Sequence, residues 1–278
     1  MNKIVQKKVL GKNVKLLEVE APLVARKEKA GQFVVIRVHE NGERIPLTIT
    51  ESNIEKGTIT LIFQEVGKTT KQLGQLNPGD HITDLVGPLG TPMELRRYGT
   101  VVVIGGGAAT AVAYPEAREL KRVGNKVITI IGARTKDLII LEEQMKACSD
   151  ELYVTTEDGS KGHHGLVVDV LKQLIERREK IDLVVAIGPA MMMKVVAEVT
   201  RPYQIKTIAS LNPIMLDATG MCGVCRVTVG GETKFACVDG PEFDAHLVDF
   251  DLLIARQRMY LDKEKVAMDK WEEKCKAK

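Results

Sequence analysis

Short runs of alternating apolar and polar residues fill the first hundred positions, with no helical period between them. IVQKKVL, NVKLLEVEA, QFVVIRVHE, TITLIFQEV and DHITDLVG each predict a strand, and turn formers such as ENGE and NPGD separate them. Regularly spaced short strands of this kind predict a small antiparallel β-barrel over residues 1–98.

The pattern changes at Gly99. TVVVIGGG reads as a buried strand ending in glycines, followed by a helix at ATAVAYPEARELKRVG. KVITIIGAR, ELYVTTEDG and IDLVVAIGP predict further strands, and ILEEQMKACSDE and GLVVDVLKQLIERREK predict the helices between them. Strands alternating with helices imply an α/β domain over 99–210, with a parallel sheet covered on both faces. Residues 211–240 hold a cysteine-rich loop with a hairpin at CRVTVGGETKFAC. The tail, 241–278, has helical spacing of Leu, Ile, Met, Val and Trp. The expected fold class is therefore α+β multidomain: antiparallel barrel, parallel-sheet nucleotide-type domain, small loop and hairpin, C-terminal helix.

Composition narrows the function. With 40 basic against 37 acidic residues the net charge is only +3, and aromatics are 4%, which leaves no footprint for nucleic acid. Apolar runs such as Val101 to Ile104 are strand-sized, and MNKIVQKKVLGKN lacks the apolar core of a signal peptide, so no membrane association and a cytoplasmic location are expected. Three of the five cysteines lie between Cys222 and Cys237, which fits a metal site better than a disulfide framework.

Two glycine loops follow strands. Gly105, Gly106 and Gly107 stand where backbone N–H groups and a helix N-terminus can cradle a pyrophosphate, but Thr110 occupies the third glycine position of the dinucleotide fingerprint. A plain strand-to-helix turn is an equally good reading of those residues. Gly67, Lys68, Thr69 and Thr70 offer amides, hydroxyls and a cation to a phosphate without forming a P-loop; taken alone, a helix cap explains them better. His163 and His164 read as a solvated pair, and no nucleophile triad or paired carboxylates for hydrolysis stand out.

The strongest signal is Asp217-x4-Cys222-x2-Cys225-x11-Cys237. It is one residue away from the plant-type C-x4-C-x2-C…C spacing that folds around a 2Fe-2S cluster. Gly220 and Gly223 give the loop freedom to wrap a cluster, and a carboxylate ligates ferric iron, with an altered potential as the consequence. Structural zinc held by one Asp and three Cys, a thioredoxin-like CxxC, and inert buried cysteines are the rival readings. The cluster accounts for the spacing best.

The order of barrel, α/β domain and cluster loop resembles the ferredoxin-NADP+ reductase superfamily, in the branch that contains the electron-transfer subunit of dihydroorotate dehydrogenase. ERIPLTI resembles that branch's flavin motif at Pro46, Leu47 and Thr48, with Arg44 one position early. Gly67 to Thr70 match its phosphate loop, Gly105 to Gly107 its strand turn, and IGPAMM its nicotinamide motif at Gly188, Pro189, Met191 and Met192. Ser210, Leu211 and Met215 match the approach to the cluster.

The resemblance implies FAD held by these barrel residues together with Phe63, and a nicotinamide nucleotide framed by Gly105 to Gly107, Arg134, Gly188, Pro189 and Met191. It favours NAD, while Arg134 leaves NADP open. Asp217, Cys222, Cys225 and Cys237 would hold the cluster, and the flavin, not a side chain, would carry the chemistry. Asp217 and the acidic stretch VDGPEFDAHLVDFD are similar to small subunits of NAD(P)H:ferredoxin oxidoreductases. This implies a heterodimer with a larger iron–sulfur flavoprotein subunit, ferredoxin served through the complex, a docking role for the tail, and electron bifurcation linking NADPH oxidation to reduction of NAD+ and ferredoxin. The alternatives are the electron-transfer subunit of dihydroorotate dehydrogenase and, from another class, a non-catalytic zinc-stabilised interaction module.

Overall fold

The computed structural model describes residues 2–276. Six antiparallel strands form the N-terminal barrel: β1 (Ile4–Gly11), β2 (Val14–Glu20), β3 (Phe33–Arg37), β4 (Arg44–Asn53), β5 (Thr58–Gln64) and β6 (Asp84–Leu89). Their order is β1-β2-β5-β4-β3-β6, and Ile4 exchanges backbone bonds with Asp80 and Gly79, joining the first strand to the approach of the last. Alternation puts Leu17, Ile36, Ile49, Ile59 and Leu61 inside, where each aliphatic side chain contributes about 2 kcal/mol of burial. Two short helices, α1 (Pro22–Ala25) and α2 (Lys68–Gln75), plug the ends.

The second sheet uses β7 (Thr100–Gly106), β8 (Lys126–Ala133), β9 (Glu151–Thr156), β10 (His163–His164), β11 (Leu183–Ile187) and β12 (Thr207–Ser210), all parallel, in the order β10-β9-β8-β7-β11-β12. Val101 to Ile104 are wholly buried because both faces are covered. Helices α3 (Thr110–Arg122) and α4 (Glu142–Ala147) pack on one face; α5 (Val167–Glu176) and α6 (Ala190–Thr200) pack on the other. The chain leaves β7 towards β8 and later returns to β11 on its other side, so the switch point lies between the ends of β7 and β11.

After the cysteine loop, β13 (Arg226–Val229) and β14 (Glu232–Phe235) form the expected hairpin. It turns on Gly230 and Gly231, whose φ values of 61° and 81° suit a type I′ turn. A strand absent from the sequence expectation, β15 (Glu242–Asp244), then adds antiparallel to β12 and extends the second sheet. The tail forms two helices where one was expected, α7 (Phe250–Gln257) and α8 (Leu261–Lys276). Helix α7 packs on α6 and the hairpin, whereas α8 reaches back to the barrel, where Lys71 pairs with Glu272 at 2.8 Å and lies over the Trp271 ring. Among the described residues no helix is long and apolar enough to cross a membrane.

Candidate functional site

A cavity of about 170 Å³ opens where the barrel, the α/β sheet and the cysteine loop meet. Phe33, Pro46 and Thr48 line it from the barrel, Gly188 from the end of β11, and Leu211 and Met215 from the loop. The period of β4 sorts its residues: Pro46 and Thr48 face the cavity, while Ile45 and Leu47 pack into the barrel core. Leu47 and Phe63, the latter 3% exposed, are core residues, since each points into the barrel interior. Arg44 is exposed on the same strand face as Pro46 and Thr48.

The second loop stands at the start of α2. Lys68 Nζ lies 2.9 Å from Glu43 Oε1, and Thr69 Oγ1 donates to Glu43 Oε2 at 2.6 Å. Burial pushes the Glu43 carboxyl up, but the bonds from Thr69 and Lys68 outweigh it and hold the group below its usual range. A carboxylate thus sits on the donors a phosphate requires, which is the chemistry expected of an FAD pyrophosphate site. Thr70 instead closes the start of the helix, its hydroxyl accepting from Gly67 N–H and donating to Gly67 C=O as a cap. Glu43 was not singled out from the sequence, because an exposed turn glutamate carries no signal of its own. Glu43→Gln should tighten FAD binding about 5-fold, roughly 1 kcal/mol, by removing the competing anion. Titration of flavin-stripped protein measures this, and unchanged or weaker binding would contradict it.

A larger cleft of about 480 Å³ lies at the carboxyl ends of the parallel strands. Gly106 and Gly107 border it after β7, Arg134 after β8, Glu157 after β9, and Pro189 and Met191 after β11. This is the switch-point crevice in which open α/β sheets hold nucleotides. A Cβ on Gly106 or Gly188 would come within 2.7 or 2.8 Å of the flexible end of the Met192 side chain, which packs between the two loops and would have to shift. Gly107 has φ +61° with open space before it, so backbone amides can approach a ligand. Gly105 packs against Thr110 and serves the strand-to-helix turn. Gly188 borders the smaller cavity and Pro189 the larger cleft, so the two are adjacent.

The cysteine loop packs on the opposite wall. Cys225 and Cys237 are buried, with Sγ atoms 3.2 Å apart, in a cluster that includes Phe33, Val35 and Met215. Burial and the neighbouring Cys225 thiol push Cys237 up to about 12, so iron would bind in exchange for protons. Asp217 accepts from the backbone N–H groups of Thr219 and Cys222 at 3.1 and 2.9 Å. Those bonds, Thr219's first, hold its carboxyl below the usual range. The four donors therefore divide into two pairs, Cys225 with Cys237 and Asp217 with Cys222. Among the described residues no three His, Cys, Asp or Glu side chains form a single-metal group. Two such pairs are the arrangement that the plant-type spacing implies for two irons. Cys148 is buried in the α/β core and Cys275 is exposed on α8, both away from the loop.

An antiparallel barrel, a switch-point sheet and a cysteine loop around one cavity define an FAD-binding, iron–sulfur oxidoreductase of ferredoxin-reductase-like fold. The profile of the oxidoreductase FAD-binding domain matches residues 2–93, and that of the iron–sulfur cluster binding domain of dihydroorotate dehydrogenase B matches residues 212–249. The chain belongs to the family of electron-transfer subunits typified by dihydroorotate dehydrogenase B. It is 46% identical to the homologue of that subunit from Thermotoga maritima, over 98% of this chain and 95% of the relative. Identity to the dihydroorotate dehydrogenase B (NAD(+)) electron transfer subunit of Bacillus caldolyticus is 34%, over 82% of this chain and 90% of that one. A solved structure of NADH-dependent reduced ferredoxin-NADP oxidoreductase, described for flavin-based electron bifurcation, superposes with a TM-score of 0.93 at 45% identity. The match covers 98% of both chains. A non-catalytic zinc module is thereby set aside.

Proposed function

We propose that this chain exchanges hydride with NAD(H) and passes single electrons, through a 2Fe-2S cluster, to a larger iron–sulfur flavoprotein in a cytoplasmic heterodimer. In this reading the complex couples NADPH oxidation to reduction of NAD+ and ferredoxin. The observation that carries it is the placement of one cavity between the larger cleft and the cysteine loop, with Phe33 lining the cavity and belonging to the same buried cluster as Cys225 and Cys237. FAD bound there supplies the conversion between two-electron and one-electron transfer.

The chain's own residues position and insulate. Thr48 offers a hydroxyl at the ring cavity, Lys68 and Thr69 hold the pyrophosphate, and the Gly106–Met192–Gly188 contact sets the spacing of cleft and cavity. Arg134 and Glu157 border the same cleft; the carboxylate disfavours a 2′-phosphate, which supports NAD over NADP. Around the loop, Met221, Leu216 and Val238 are exposed, as is Cys222, which supports partner docking at this face.

Co-purification followed by assay tests the reading. NADPH-dependent reduction of ferredoxin that requires NAD+ supports it, and NAD+ reduction by dihydroorotate would replace it with the dihydroorotate dehydrogenase assignment. Asp217→Cys gives a narrower check: the cluster should persist with a shifted reduction potential by electrochemical titration. An unchanged potential would mean that Asp217 is not a ligand.

A further inference from the structure

Two carboxyl groups with no part in the sites above are buried against the wall of the flavin cavity. Glu116, on α3, is fully buried, and no donor among the described residues reaches either of its oxygens. Glu242, on β15, is partly exposed as a residue, yet its Oε1 is buried and equally unpartnered. The two carboxyls face each other. Burial first, then the neighbouring Glu242, holds Glu116 well above the usual carboxylate range, and burial pushes Glu242 up to about 7. Two ionised carboxylates do not persist side by side without a cation, so the pair retains at least one proton.

The residues that join this pair to the cavity are specific. Val112 lines the cavity one helical turn before Glu116. Ser210, also lining it, is the register partner of Glu242 across the β12–β15 ladder, and Pro241 immediately precedes. Glu242 Oε1 lies 3.0 Å from where a Cβ on Gly31 would sit, and Gly31 lines the cavity from the barrel side. Other titratable groups on the surrounding elements are engaged elsewhere. Tyr114 of α3 meets Glu51 on β4 and Arg118, Tyr98 meets Glu94 and Arg96, and Asp244 acts on His246. None of these perturbs either carboxyl. Of the two residues, Glu242 is the less buried and so the nearer to solvent.

We propose that Glu116 and Glu242 form a proton-binding site that compensates charge at the flavin, holding one shared proton while the flavin is oxidised and taking up a second from solvent when electrons enter the cavity. The only bond formed at the pair is an O–H bond; the electrons remain on the cofactor, delivered by the nicotinamide nucleotide. Negative charge arriving beside a weakly solvated carboxylate favours its protonation, which is why a pair poised near neutrality responds. These are positioning residues acting through the field at the cavity, and the inference rests on FAD occupying it.

The test uses the FAD-loaded full chain and the variant Glu116→Gln/Glu242→Gln. Wild-type protein should take up more protons on flavin reduction than the variant, by up to one per flavin, and its flavin midpoint potential should fall more steeply with pH. Above the titration of the pair, the neutral variant should have the more positive potential. Reduction of the wild type should bring in a protonated-carboxyl infrared band that the variant lacks. Folding stability supplies a second readout. Because the folded values are raised, stability is fully present below the ordinary glutamate value and is lost as pH rises through about 7. The double variant should flatten that loss. Identical proton uptake and potential slopes in a flavin-loaded variant overturn the inference. So does the absence of a carboxyl band in the wild type, a result independent of whether the variant folds. A full chain that binds no flavin overturns the FAD reading as well, which separates the two failures.

Discussion

Cys237→Ser is expected to leave the flavin in place and strip the chain of nearly all its iron. Cys237 is 1% exposed, and its sulfur lies 3.2 Å from that of Cys225, so in the proposed ligand set the two would form one end of the cluster. A serine hydroxyl stays protonated at neutral pH and is a poor soft donor, and the remaining buried thiol has no second partner with which to hold an iron. Cys237 is not among the residues that line the cavity between barrel and sheet, so FAD content should be unaffected. Iron and acid-labile sulfide analysis with a visible spectrum decides the matter, and full iron content in the variant would remove Cys237 from the ligand set. Electron delivery to the partner subunit should fall to background in the same variant, while NADH-dependent flavin bleaching continues.

Lys68→Glu is expected to weaken FAD binding about 100-fold, near 3 kcal/mol, because the proposed charge-assisted donor to the pyrophosphate becomes a second carboxylate beside Glu43. Isolation of the variant largely free of flavin and a fluorescence titration of its residual affinity provide the measurement. The effect should shrink as ionic strength rises, since Lys68 is partly exposed. Affinity equal to wild type would place the pyrophosphate elsewhere.

Much of this architecture was legible because local pattern and tertiary outcome agree. The apolar run Val101 to Ile104, the helix at Val167–Glu176 and the glycine turn of the hairpin are all set within a few residues of themselves. The parts that were missed depend on distant partners. Strand β4 contains Pro46 and opens with an exposed arginine, so it reads as a loop until β3 and β5 pair with it on either side. Strand β15 is three residues long and exists through its ladder with β12. The predicted helix at Ile140–Glu151 shrinks to Glu142–Ala147 because Leu141 takes a left-handed conformation and Ser149 caps back onto Met145. The metal-site residues could be proposed from spacing alone, whereas the orientation of Leu47 and Phe63 towards the core required knowing which face of each strand the cavity occupies. Glu116 lies in an ordinary helical stretch, and nothing in AYPEAREL marks it as buried.

The antiparallel addition of β15 to β12 makes the cluster segment a poor candidate for exchange as a cassette. Modular redox proteins gain and lose cofactor units at seams where the chain passes once between bodies that fold separately. Here the segment leaves the sheet at Ser210, wraps its loop against the barrel, and returns to the same sheet at Glu242. Excising it would expose the backbone edge of β12, a template for association with other chains. The parallel sheet and the cysteine segment therefore form one structural unit, since the β12–β15 ladder belongs to both.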